Sequence, residues 1–139
     1  MEQESAGQSR PVEIYVYPTC TGCRRAEEFL RAQGVAYQRR DYVNQRFTRE
    51  ELVQLLERTG LSPRELLSTR SRAYRELGLD KREVSDEELI ELMVQEPGLL
   101  RRPIVVIDTV VVIGSDRKRL AAALADAAGH HAGEPAGEP

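Results

Sequence analysis

Two cysteines and two histidines are all the thiol and imidazole ligands in this 139-residue chain. Structural zinc takes four protein ligands, and His130-His131 stand in a stretch of Gly, Glu and Pro with nothing to bury, so a metal site is set aside. The same scarcity excludes a disulfide framework. No apolar run approaches the roughly 20 residues that cross a bilayer, and residues 1–10 are polar, without the apolar stretch of a secretory signal. The expected compartment is therefore the cytoplasm, where a lone cysteine pair is catalytic or redox-sensing rather than a permanent staple. Excess positive charge is also missing: the formal net charge is −3, which gives no general pull toward nucleic acid or a membrane surface.

What is present suits one globular α/β domain, with 40% hydrophobic and 31% charged residues. Residues 1–10 read as a flexible leader, 11–128 as the domain, and 129–139 as a disordered tail. Residues 12–17 predict a strand, 21–33 a helix with Ala26, Phe29 and Leu30 on one face, and 35–41 a second strand. A helical block follows over about 44–100. Thr48 with Glu51 and Ser62 with Glu65 predict capping boxes, 70–77 a short helix, and Ser85 with Glu88 a further start. Ser68 and Thr69 read as caps for the 70–77 helix. Residues 104–107 and 110–113 predict two apolar strands joined by a tight turn, and 116–128 a last helix. The order is βαβ, helical block, ββα.

The cysteines lie in Tyr17-Pro18-Thr19-Cys20-Thr21-Gly22-Cys23-Arg24-Arg25, where the first strand ends and the first helix begins. Unpaired N–H groups and the positive end of the dipole at a helix mouth favour a thiolate. Arg24 and Arg25 add positive potential, in the kind of setting that lowers a cysteine pKa to roughly 3.5–7.5. Cys20 is then the nucleophile, and Cys23, one turn further in, the resolving thiol. Alone, the pair also fits a glutaredoxin-like enzyme, half a zinc site, or two inert core thiols.

Three motifs carry a resemblance: the cysteine segment, Leu66-Leu67-Ser68-Thr69-Arg70-Ser71 leading to Tyr74 and Leu77-Gly78-Leu79, and Pro97-Gly98-Leu99-Leu100-Arg101-Arg102-Pro103-Ile104-Val105-Val106. In this order they resemble the arsenate reductase C and Spx family, from about residue 12 to residue 124. The resemblance implies a thioredoxin-like fold with a helical insertion and a mixed sheet of about four strands. It implies that Pro103 is the cis-proline facing the dithiol, and that Arg102 is an anion or thiolate clamp. Arg101 and Arg70 are weaker candidates, either for an anion or for pairing with the acidic helix at Asp86-Glu87-Glu88.

The two branches of the family imply different functions. Arsenate reductases resemble enzymes that attack arsenate with one cysteine and draw on glutathione and glutaredoxin. Their pattern has three arginines around the oxyanion. Arg102 matches one, Ser68 and Gly114-Ser115 stand where the others are expected, and those enzymes commonly have serine in place of Cys23. Spx-type proteins resemble redox-sensing proteins that bind the C-terminal domain of the RNA polymerase α subunit. Their C-x-x-C, Ser-Thr-Arg-Ser and Gly-Leu-Leu-Arg-Arg-Pro patterns are all here, although a glycine near their polymerase contact falls around Ser62. The expectation is a monomeric thiol-disulfide switch that controls polymerase binding, with no cofactor beyond a reductant (glutathione, or the thioredoxin or glutaredoxin system) and no direct nucleic-acid or membrane contact. The alternative is an arsenate reductase or general thiol-disulfide oxidoreductase using Cys20.

Overall fold

A computed structural model describes residues 12–133. The leader expected over 1–10 and the end of the expected tail, 134–139, lie outside the described residues. A four-stranded mixed sheet is built from β1 (Val12–Val16), β2 (Gln38–Asp41), β3 (Ile104–Ile107) and β4 (Val110–Ile113), in the order β2-β1-β3-β4. β1 pairs parallel to β2 and antiparallel to β3, and β3 pairs antiparallel to β4.

The two-residue period of β1 divides the molecule. Val12, Ile14 and Val16 face a core shared with α1 (Thr21–Ala32) and α6 (Arg117–Gly133). Tyr15 faces the helical block, which comprises α2 (Arg49–Thr59), α3 (Pro63–Leu66), α4 (Arg72–Glu76) and α5 (Asp86–Gln95), with short 3-10 turns at Leu79–Lys81 and Pro97–Leu99. β3 is buried on both faces: Val105 and Ile107 join the first core, Ile104 and Val106 the second. Fully burying such a side chain contributes about 1.5–3 kcal/mol, so β3 holds the two halves together.

Both expected capping boxes form: Thr48 with Glu51 opens α2, and Ser62 with Glu65 opens α3. Three elements differ from expectation by two or more residues at an end. β2 starts at Gln38 rather than residue 35, because the Val35 N–H bonds back to Leu30 O at 3.0 Å and belongs to the end of α1. The 70–77 helix is Arg72–Glu76, capped by Ser71 rather than Ser68 or Thr69; Ser71 Oγ accepts from the Tyr74 N–H at 3.1 Å. The last helix runs to Gly133, past the expected end at 128, sustained by an alanine-rich sequence of high helix propensity.

Candidate functional site: a dithiol at the mouth of the first helix

β1 ends by delivering a tight turn to the site. The Cys20 N–H donates to Tyr17 O at 3.1 Å across Pro18 and Thr19. Cys20 then takes the N-cap of α1 in extended geometry (φ −90°, ψ 116°), and its Sγ accepts from the Cys23 N–H at 3.0 Å. Sulfur here fills the role that a hydroxyl or carboxylate oxygen has at most helix starts. A backbone donor aimed at Sγ is the contact that a thiolate uses. Cys20 is half-buried, whereas Cys23 is 2% exposed on the core side of α1 with Ala26 and Leu30. Burial, with the hydrogen bond to Cys20 adding to it, pushes the Cys23 thiol up to about 12.

Facing the dithiol is the start of β3. The Arg102–Pro103 bond is cis, and Pro103 O accepts from the Gly114 N–H at 2.9 Å, tying this turn to the end of β4. Gly114 has φ +112°, a conformation that a side chain would oppose. Gly22 closes the arrangement: a Cβ there would lie 3.5 Å from Ser115 Oγ, 3.7 Å from Pro103 Cδ and 3.9 Å from Cys20 Sγ. Pro103, Ser115 and the cysteines therefore meet around Gly22.

Arg102 reaches the site through an aromatic partner. Its guanidinium carbon lies 4.2 Å from the centroid of the Tyr17 ring, and Nη1 donates to Leu100 O at 3.1 Å and Gly98 O at 3.4 Å. The buried Tyr42 also donates to Leu100 O, at 3.2 Å, and its ring packs edge-on against Tyr17 at 5.9 Å. Burial pushes the Tyr42 phenol well above its usual value, and Arg102 draws it partly back. A cleft of about 170 Å³ opens beside this group, lined by Tyr17, Ser71, Ala73, Glu96, Gly98 and Arg102 among others.

Among the described residues, the remaining arginine candidates make no hydrogen bond or ring contact with the Arg102–Tyr17 group. Arg24 is exposed on α1 and has no carboxylate partner among the described residues. Arg101 is exposed and donates to Glu65 O at 3.4 Å, and exposed Arg70 offers its carbonyl to Arg75 at 3.1 Å. Neither pairs with the acidic helix, as one reading of the sequence expected. Those carboxylates are taken instead: Glu87 and Glu91 by Arg49, Asp86 by Arg64, Glu88 by Arg82. Ser68 is spent on the backbone, its N–H donating to Leu99 O at 2.7 Å and its carbonyl accepting from Ser71 Oγ at 2.9 Å. Sequence reasoning missed Tyr17 and Tyr42 as partners of Arg102. For Tyr17 the signal was its place at the end of an alternating strand, directly before the cysteine loop. Among the described residues no group of three His, Cys, Asp or Glu side chains is placed to hold a metal ion. No helix of the described residues is long and apolar enough to cross a membrane.

The ArsC family model matches residues 15–123. Among curated relatives, the regulatory protein MgsR of Bacillus subtilis is 39% identical over 101 residues, covering 73% of this chain and 80% of that protein. The global transcriptional regulator Spx of Streptococcus agalactiae is 33% identical over 113 residues, covering 81% of this chain and 82% of that protein. Among solved structures, an arsenate reductase from Vibrio cholerae superposes with a TM-score of 0.74 at 31% identity, over 84% of this chain and 99% of that one. The chain belongs to the ArsC family and has its thioredoxin-like fold.

Proposed function

We propose that this ArsC-family protein is a redox-responsive regulator of transcription. Cys20 and Cys23 interconvert between dithiol and disulfide, and that state governs binding to RNA polymerase, through the C-terminal domain of the polymerase α subunit. The reading is carried by the unequal pair at the helix mouth: a half-buried Cys20 whose sulfur caps the helix, and a buried Cys23 one turn on. An internal resolving thiol makes oxidation reversible without an external thiol adduct. The relatives named MgsR and Spx, a regulatory protein and a global transcriptional regulator, support the same reading. Glutathione, or the thioredoxin or glutaredoxin system, supplies the reducing equivalents, and the work is done in the cytoplasm. The test is a pull-down from bacterial lysate with oxidised and reduced chain. One state is expected to retain more polymerase than the other; retention in neither state ends this reading.

A second reading, arsenate reduction, has one observation in its favour: Arg102 stacked on the tyrosine that leads into the cysteine loop. Against it, Ser68 and Gly114-Ser115 stand where the reductase pattern has arginines, and a multiply charged oxyanion needs several cationic donors. A coupled arsenate-reduction assay with Cys20→Ser as control decides it. Absence of Cys20-dependent turnover eliminates the enzyme.

A further inference from the structure

The longer helices divide in how they treat their first turns. α2 carries Glu50 and Glu51 there, and α5 carries Asp86, Glu87 and Glu88, as the helix dipole favours. α1 and α6 have no acid in the first turn. Instead Arg24 and Arg25 lie at the start of α1, and Arg117, Lys118 and Arg119 open α6. β1 and β4 both run antiparallel to β3, so the helices that follow them start at the same end of the sheet. The close approach of Gly22 to Ser115 puts the two starts side by side, with Cys20 at the junction.

All five cationic side chains are exposed, and none has a carboxylate partner among the described residues. Elsewhere, six arginines (Arg39, Arg40, Arg49, Arg58, Arg64 and Arg82) are ion-paired, while others, such as Arg31, Arg46, Arg101 and Arg102, bond tyrosine or backbone oxygens. The acids close to the patch are few. Asp116 is occupied by the backbone N–H groups of Lys118 and Arg119, at 2.9 and 3.3 Å, and Glu28 stands one turn along α1. The patch is therefore a local segregation of charge in a chain whose net charge is −3. It works against both helix dipoles, and the one fold contact among its side chains given by a hydrogen bond is Arg119 Nη1 to Ile113 O at 3.4 Å.

We propose that Arg24, Arg25, Arg117, Lys118 and Arg119 form a docking surface for an acidic segment of a dithiol protein, held against Cys20 while it reduces the Cys20–Cys23 disulfide. The inference rests on the redox switch proposed above and names the chemistry of its reductant. One partner thiolate attacks Cys20 Sγ, forming a mixed disulfide, and Cys23 sulfur leaves and takes up a proton. The second partner thiolate then attacks the partner's own sulfur and releases Cys20. Two electrons enter the chain, and the partner's dithiol becomes a disulfide. Buried Cys23, whose thiol burial pushes up to about 12, holds its proton at neutral pH. A nucleic acid fits the surface less well: it offers no thiol chemistry, and the patch has no aromatic side chain on which a base would stack.

The test uses the full oxidised chain and three synthetic Cys-x-x-Cys peptides of equal length, flanked by glutamates, serines or lysines. The acidic peptide is expected to reduce the disulfide about tenfold or more faster than the serine peptide at low ionic strength, with the advantage lost near 1 M salt. In a chain carrying Arg117→Gln, Lys118→Gln and Arg119→Gln, the ratio of acidic to serine rates should fall toward one, whatever the absolute rates. Equal rates for acidic and serine peptides in the wild-type chain overturn the docking surface and leave the switch standing. Failure of dithiothreitol and all three peptides alike overturns the switch, and this inference with it. Duplex DNA that blocks the acidic peptide at lower concentration than the oxidised acidic peptide does would assign the surface to nucleic acid and overturn the proposal.

Discussion

Cys20 and Cys23 differ only by the turn of helix between a capping position and a buried face, and their chemistry should differ accordingly. In the reduced chain, iodoacetamide at neutral pH is expected to label Cys20 at least about tenfold faster than Cys23, since the thiolate is the species that reacts. Peptide mass spectrometry reads the two rates, and equal labelling would mean that the core does not shield Cys23. Because burial pushes the Cys23 thiol up to about 12, its labelling in Cys20→Ser should keep climbing as pH rises through the alkaline range rather than level off near the ordinary thiol value. Arg102 makes a different kind of claim. Arg102→Ala loses the stack on Tyr17 and two carbonyl contacts, and should lower stability in urea by about 1–2 kcal/mol. The cysteines and Pro103 were legible in the sequence because spacing and neighbouring motif mark them. The aromatic seat of Arg102 was not, because Tyr17, Tyr42 and Leu100 meet only through the fold. The pairing of Arg70 or Arg101 with the acidic helix does not form, for a related reason: an exposed loop arginine does not reveal by spacing where its contacts lie.

The elements were most legible where short-range chemistry decides them. Capping boxes occupy four residues, and both those at Thr48 and Ser62 form as the sequence predicts. Thr48→Ala should cost about 1 kcal/mol, read from the urea midpoint; no loss would mean that packing alone holds the start of α2. β3 and β4 matched because two apolar runs flank a two-residue turn, in which Asp108 takes the left-handed conformation (φ 60°). β2 and α6 did not match at their ends, where the helix-closing hydrogen bond from Val35 to Leu30 and an alanine run moved the boundaries. β1 and α2 are joined by charge as well as packing, since Arg58 binds both carboxylate oxygens of Glu13 at 2.8 and 3.3 Å. Burial raises the Glu13 carboxyl, but hydrogen bonds from Arg58 and Tyr15 outweigh it and hold the group below its usual 4.5. Arg40, then the Thr48 N–H, lower Glu51 in the same way. A depressed carboxylate stabilises the fold above its unfolded pKa, and that contribution is lost as pH falls through the folded value. The urea midpoint should therefore decline below about pH 4.5, and Glu13→Gln should lower the neutral midpoint while flattening that decline. An unchanged acid slope in the variant would remove the Glu13–Arg58 pair from the account.

Across the whole molecule, the sheet keeps two cores apart and brings one junction together. Its C-terminal ends of β1 and β4 place two helix starts, a cis-proline turn and the cysteine pair at one edge. The helical block packs on the other face and carries most of the paired charge. The general architecture was legible from the order of elements. The gathering of Arg24, Arg25, Arg117, Lys118 and Arg119 at one end of the sheet was not, because α1 and α6 are far apart in sequence and start at the same end only through the strand directions. The central claim is that Cys20 and Cys23 form one reversible intramolecular switch. A redox titration of the full chain, followed by intact mass, tests it most directly. A single two-electron transition is predicted, with loss of two hydrogens and no dimer, fully reversed by reductant and absent from both Cys20→Ser and Cys23→Ser. Oxidation that instead gives intermolecular disulfides, or adds oxygen to Cys20 before any internal disulfide forms, would contradict the account.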